Sequence, residues 1–376
     1  LKEDHLRGVK GLADKITNYQ CPACTGPLQF DPVSGKLVCE YCSSSYDVEE
    51  IEALYAGKDG AAAQAAQASQ GESAPEGSPW SEAEAAGLRV YNCPSCGAEL
   101  ICDATTAATS CPYCGNPTIV PGELSGALRP DWVIPFKLTK EQAIQALKAH
   151  YRKKPLLPKL FSRQNHLEEI KGVYAPFWLY DGKAEGTAVF DGTKVRHWTE
   201  GRYDVTETSH YDCVRRGSMD FSRIPVDSST KMPDEHMDAI EPYDYGELKP
   251  FSTAYLPGYL ADKYDVDAKT AEERARKRAE QSALSAMQAT VTGYSSVSAK
   301  SADLHYRRTG LHYALLPVWL LSTRWNDKVY LFSVNGQTGK LVGDLPVSRG
   351  RFCAWLFGIW AAVAAVVLLV QAVHVF

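Results

Sequence analysis

Eight cysteines within the first 114 residues stand in two sets of four: Cys21, Cys24, Cys39 and Cys42, then Cys93, Cys96, Cys111 and Cys114. Each set reads C-x2-C…C-x2-C with fourteen residues between the inner cysteines, and each member of the second set lies 72 positions beyond its counterpart. Two thiolates separated by two residues form a tight knuckle that presents both sulfurs to one ion. Two knuckles joined by a short hairpin complete a tetrahedral S4 shell. The spacing therefore predicts two structural Zn2+ ions, and a full S4 shell leaves no open position for water chemistry. Ferredoxin clusters use other spacings, a thioredoxin-like redox pair is a single C-x-x-C near a βαβ unit, and disulfides are disfavoured in a reducing cytoplasm.

Backbone chemistry around the knuckles differs between the sets. Gly97 and Gly115 follow Cys96 and Cys114, whereas Thr25-Gly26 and Ser43 stand at the matching places of the first set. Glycine suits the left-handed backbone of such a knuckle, so the first is the less ideal of the two. Leu28, Phe30, Leu37 and Val38 are a very small core, so metal supplies most of the folding energy of such a ribbon. Of the three other cysteines, Cys102 is expected as a small packed residue, Cys213 in the core and Cys353 facing a membrane.

The elements that position these residues set the domain plan. Residues 1–50 are expected to form the first zinc ribbon with an N-terminal extension. Leu1–Gln20 lacks the apolar run of a secretory leader, and Leu1 in place of an initiator Met suggests a trimmed chain. Residues 51–90, rich in Ala, Gln and Ser, read as a flexible linker that gives the first ribbon reach. Residues 91–120 form the second ribbon, 121–348 an α+β domain, and 352–374 a transmembrane helix. In the α+β domain, Thr139 caps a helical run to about Arg152 with Ala143, Ile144, Ala146 and Leu147 on one face, and a second helix runs from Lys269 to about Ala289. Two later runs look alike: Val173-Tyr174-Ala175-Pro176-Phe177-Trp178 and Ala314-Leu315-Leu316-Pro317-Val318-Trp319 each hold an internal proline and a tryptophan two positions after it. Each follows a helix and precedes polar–apolar alternation. The expected fold is multidomain: two small β zinc ribbons, an α+β body of duplicated helix-plus-antiparallel-sheet units, and one C-terminal transmembrane helix.

The whole chain has 376 residues, is 45% hydrophobic and carries a formal charge of −5, a balance that excludes a disordered or collagen-like chain. Phe352–Phe376 contains no charged residue, and Arg349 and Arg351 stand just before it. A helix of that length spans about 37 Å, more than a hydrocarbon core of about 30 Å. The positive-inside rule then gives a single-pass, tail-anchored protein of the cytoplasmic (inner) membrane with its N-terminal body in the cytoplasm. From Cys21 to Glu50 the only base is Lys36, against five acids, and residues 91–120 contain no Lys or Arg. Such ribbons cannot supply the phosphate contacts that dominate nucleic-acid affinity, so protein docking is the expected role. One basic stretch, 142–167, holds Lys148, Arg152, Lys153, Lys154, Lys159 and Arg163 with no acid. It reads as a solvated loop or as a contact with an anionic leaflet. No phosphate-binding loop, H-E-x-x-H, G-x-S-x-G or G-x-G-x-x-G appears, and His197, His210 and His236 read as structural, so no enzyme is expected.

The runs Asn92-Cys93-Pro94-Ser95-Cys96-Gly97 and Ser110-Cys111-Pro112-Tyr113-Cys114-Gly115, with Val133-Ile134-Pro135-Phe136-Lys137, Gly172-Val173-Tyr174-Ala175-Pro176-Phe177-Trp178 and Asn335-Gly336-Gln337-Thr338-Gly339-Lys340, resemble a bacterial family of membrane-anchored, TFIIB-type zinc-ribbon proteins. Members are frequently labelled primosomal (replication-restart) helicase-like or RNA polymerase subunit-like; this sequence has no phosphate-binding loop to support a helicase. The family is also similar to the zinc-ribbon partner of phage-shock and SPFH envelope-stress systems. The resemblance implies a membrane-anchored cytoplasmic adaptor whose ribbons dock cytoplasmic or membrane proteins, in envelope stress or membrane-domain organisation. The alternative is a membrane-tethered nucleic-acid-binding factor of replication or transcription type.

Overall fold

The computed structural model describes residues 19, 21–24, 28–39, 41–56, 80, 84–85, 87–103, 111–114, 120–122, 128–158, 161, 167–326 and 328–375. Most of the segment expected as a linker, with Gly115, Thr25-Gly26, Lys159 and Arg163, lies outside these residues. The first ribbon is a three-stranded sheet of β1 (Leu28–Asp31), β2 (Lys36–Cys39) and β3 (Ser45–Tyr46), followed by α1 (Val48–Ala56). Glu49 and Glu50 in the first turn of α1 suit the positive end of its dipole, and Val48 and Ile51 are buried. The second ribbon is built on β4 (Leu88–Asn92), β5 (Glu99–Asp103) and β6 (Val120–Gly122).

The body follows as β7 (Trp132–Val133), α2 (Lys140–Arg152), β8 (Lys171–Glu200), β9 (Tyr203–Asp227), α3 (Asp234–Ile240), β10 (Lys249–Pro250), β11 (Leu260–Asp262), α4 (Ala268–Ala289), β12 (Ser296–Trp325), β13 (Lys328–Asn335) and β14 (Leu341–Gly343). The last element is α5 (Arg349–Val375). Thr139 caps α2 in a capping box with Gln142, and Ala143, Ile144, Leu147 and Tyr151 form its buried face. Asp267 caps α4, whose buried residues Ala271, Ala275, Ala279 and Ala283 form a stripe of small side chains that lets the helix approach the sheet closely.

The centre of the body is the antiparallel pairing of β8 with β12, which runs from Lys171↔Leu320 to Thr193↔Ser296. Its middle is buried on both faces, which is why both strands read as continuous apolar runs there. Tyr174, Trp178, Tyr180, Leu315, Trp319 and Leu321 pack on one face with residues of the first ribbon. Val173, Phe177, Leu179, Leu316, Val318 and Leu320 pack on the other with residues of the second.

The order strand–helix–strand–strand occurs twice, as β7–α2–β8–β9 and β11–α4–β12–β13. The first strand of each series lies parallel to the long strand of the other: Leu260↔Val173 and Ala261↔Tyr174 in one case, Trp132↔Ala314 and Val133↔Leu315 in the other. Each series closes the same way. Ser228 N donates to Pro176 O at 3.1 Å and Gly336 N to Pro317 O at 2.8 Å. Asp227 Oδ1 accepts from Ser229 N at 3.3 Å, and Asn335 Oδ1 from Gln337 N at 2.9 Å.

Beyond the body the three long strands continue as an arm. They change register together at Tyr180/Gly182 on β8 and Arg308/Gly310 on β12, and β12 shifts again at Ala299/Ser301. Asp181 sits at the shared corner, accepting from Arg223 N at 2.6 Å, with His312 Nε2 3.4 Å from its other oxygen. Gly182 is required there, since a Cβ would lie 2.3 Å from the Tyr306 ring.

Two boundaries differ from the sequence reading. The described ends of segment 51–90 are ordered: α1 runs to Ala56, the Trp80 ring lies 5.7 Å from that of Phe251, and Arg129 Nε donates to Glu84 at 2.9 Å. The first ribbon also touches the body, the Phe30 ring packing edge-on against Tyr255 at 5.3 Å. The second is not a separate unit. Its β5 pairs with β11 through Ala261↔Ile101 and Asp262↔Leu100, which joins it to the body sheet. In both cases apolar ribbon residues too few to form a core of their own are buried against the body.

Candidate metal centres

In the first centre Cys21 and Cys24 flank a turn, Cys39 ends β2, and Cys42 lies in the turn before β3. The Sγ atoms of Cys21 and Cys42 are 3.5 Å apart and those of Cys24 and Cys39 3.4 Å. In the second centre the Cys93–Cys114 and Cys96–Cys111 separations are 3.7 and 3.6 Å. All four sulfurs of each set lie within 4.8 Å of one another. A tetrahedral ion with Zn–S near 2.3 Å requires sulfurs about 3.8 Å apart, so both donor sets fit Zn2+ with only small adjustment. The two clusters thus fit two structural zinc ions.

The knuckles are built by the backbone. Cys93 N donates to Ala98 O at 2.9 Å and Gly97 N to Cys93 O at 2.8 Å; Cys39 N donates to Ser44 O at 2.9 Å and Ser43 N to Cys39 O at 2.8 Å. Gly97 holds φ +70° and Ser43 φ +57°. The left-handed position anticipated for glycine is thus occupied by serine in the first ribbon, at a cost of about 1 kcal/mol.

The centres differ in exposure. Cys21 and Cys39 are buried but Cys24 and Cys42 are exposed, whereas Cys93 and Cys111 are buried with Cys96 and Cys114 intermediate. The Ser44 hydroxyl and backbone N–H hold the Cys42 thiol down at about 6. Burial pushes Cys96 up to about 11 and raises Cys111 further. At Cys93 burial is outweighed by backbone N–H groups of Cys96 and Ser95, which bring it to about 7.

Behind the second centre lies a polar core that sequence reasoning missed. Tyr113, inside the second knuckle, is buried and hydrogen-bonds Asp262 on β11, and Asp262 accepts from Ser229 Oγ at 2.6 Å. Burial raises Asp262 to about 7 and Asp227 well above the carboxylate range. Lys263 Nζ also reaches Glu99 of the ribbon at 2.8 Å. The histidines are dispersed: His197 meets Thr206, His210 meets Asp191, and His236 on α3 lies 3.4 Å from Asp344. Cys102 and Cys213 are buried, as expected of packed residues, and Cys353 is exposed on α5.

The class defined by these features is a protein with two four-cysteine zinc centres set on a mixed α/β body. The Trm112p-like protein family matches residues 20–50, the first centre, and members of that family bind zinc. The chain is 37% identical, over an alignment of 318 positions that takes in 72% of this chain, to the uncharacterized protein YdjG of Bacillus subtilis (strain 168), of which it covers 93%. It belongs to the family of that protein. No solved structure matches the chain.

Proposed function

We propose that the protein is a membrane-anchored cytoplasmic adaptor with TFIIB-type ribbons. The observation that carries this is α5. It is long and apolar enough to cross a membrane by length and composition, and none of its window Arg349–Val366 is buried against the body. An apolar helix with no protein cover needs another apolar surround. With Arg349 and Arg351 ahead of the span, the body lies on the cytoplasmic side of the inner membrane. The closed S4 shells give the metals a structural role, so the ribbons act as rigid surfaces for protein partners, of the SPFH or phage-shock kind. The matched pairings of the two strand–helix–strand–strand series support an internal duplication that made the scaffold between the ribbons.

The test is fractionation and capture. The full chain should remain in the membrane pellet after alkaline carbonate washing, and a chain truncated before Arg349 should not. Affinity capture from detergent-solubilised membranes should return partners that are lost when Cys93 and Cys96 are replaced by Ser. Identical partner lists for both proteins would remove docking through the second ribbon.

A further inference from the structure

The segment after α2 is fastened to the start of α5. Ser348 N donates to Leu156 O at 2.9 Å, and Arg351 Nη1 donates to Leu157 O at 2.6 Å and Pro155 O at 3.1 Å. Ser348 also caps the helix, its hydroxyl accepting from Arg351 N at 3.4 Å. These bonds bring a stretch nearly 200 residues earlier in sequence to the root of the apolar helix.

That stretch is basic. Lys148 and Arg152 lie one turn apart on the exposed side of α2, Lys153 and Lys154 follow it, and Arg349 opens α5; all five are exposed. Among the described residues no carboxylate pairs with any of them. His150 is held below its usual range by burial and by Lys154 and Lys153, which shows how closely these charges gather. Exposed apolar residues adjoin them: Val347, Phe352 and Trp355 are 60%, 51% and 55% accessible. Trp355 stands about 9 Å along the helix from Arg349, the depth of an interfacial aromatic.

We propose that Lys148, Arg152, Lys153, Lys154 and Arg349 form a collar that binds the anionic phospholipid headgroups of the leaflet α5 enters. The proposal rests on the reading of α5 as a membrane anchor. Charge chooses the ligand, and continuity with the apolar helix chooses its source, since the segment that follows these bases is hydrogen-bonded to α5 where its apolar run begins. Bases near such a surface each favour anionic lipid, so five together give a marked preference. Arg351 has a different part: it holds the 155–157 segment against the helix and so positions the collar.

The test uses the full chain reconstituted in phosphatidylcholine bilayers doped with photoactivatable phosphatidylglycerol or photoactivatable phosphatidylcholine. At about 50 mM salt the wild type should capture phosphatidylglycerol several-fold in excess, and about 500 mM salt should erase most of that excess. The variant K148Q/R152Q/K153Q/K154Q should capture both lipids equally while keeping two zinc ions per chain, which reports its fold. R351K, which keeps the charge but lacks the guanidinium that reaches Pro155 O and Leu157 O, should lose part of the preference. Glycerol phosphate at millimolar concentration should not compete; full competition would show a free-phosphate site and overturn the proposal. Equal capture of both lipids by the wild type overturns the collar but leaves the anchor standing. Capture of neither lipid means α5 is not in the bilayer, and both readings fall.

Discussion

Trp178 and Trp319 make the same bond in two places. The Trp178 indole Nε1 donates to Val266 O at 2.9 Å, and that of Trp319 to Leu138 O at 3.0 Å. Val266 directly precedes Asp267, the cap of α4, and Leu138 directly precedes Thr139, the cap of α2. Each tryptophan on a long strand therefore fixes the entry of one body helix.

Trp178→Phe and Trp319→Phe should each leave a carbonyl without its partner while keeping most of the ring packing. The expected loss is about 1–3 kcal/mol apiece, similar for the two. Thermal and guanidinium midpoints of the full chain in detergent would measure it. A loss confined to one tryptophan would show that the two helix entries are not equivalent.

The two zinc ions should leave in order. Cys24 and Cys42 face solvent, whereas the second centre exposes no thiolate fully. Chelator challenge should release one equivalent quickly and the second slowly. C21S should abolish the fast phase and C93S the slow one, each leaving one zinc by elemental analysis.

Backbone strain separates the ribbons further. Ser43→Gly should relax the left-handed residue of the first knuckle, stabilising it by about 0.5–1 kcal/mol and slowing its zinc loss. Gly97→Ala should do the reverse at the second. Stopped-flow chelation of the two variants reads both effects.

Acid should strengthen the body through Asp262. Its folded-state value near 7 lies above the ordinary aspartate value, so the folded state holds the proton more tightly than the unfolded one. Stability contributed by that proton is complete below about pH 4 and is lost as pH rises toward 7, by a few kcal/mol at most. Asp262→Asn should remove this component, so that the wild-type advantage in guanidinium midpoint over the variant shrinks as pH rises across this window. A midpoint that rises from pH 4 to 7 in the wild type and not in the variant would reverse the assignment.

The zinc ligands were legible because their chemistry is local: a C-x2-C spacing fixes the bite of a knuckle whatever surrounds it. The likeness of the Pro176–Trp178 and Pro317–Trp319 runs was legible too, since both report one environment buried on two faces. The docking of the ribbons was not. Phe30 meets Tyr255 and Tyr113 meets Asp262 across long stretches of chain, and nothing near either residue encodes its partner. Asp262 reads in sequence as the polar end of a short strand; only the sheet pairing that buries it reveals a carboxyl whose hold on its proton is raised. The fastening of Arg351 to 155–157 was hidden in the same way.

The exchange of parallel strands makes the halves of the body inseparable. β7 leads into β8 yet lies beside β12, and β11 leads into β12 yet lies beside β8. A lone strand–helix–strand–strand unit could satisfy these pairings only by clasping a second copy of itself. A chain cut between the two series would have to re-form that exchange of strands to fold at all.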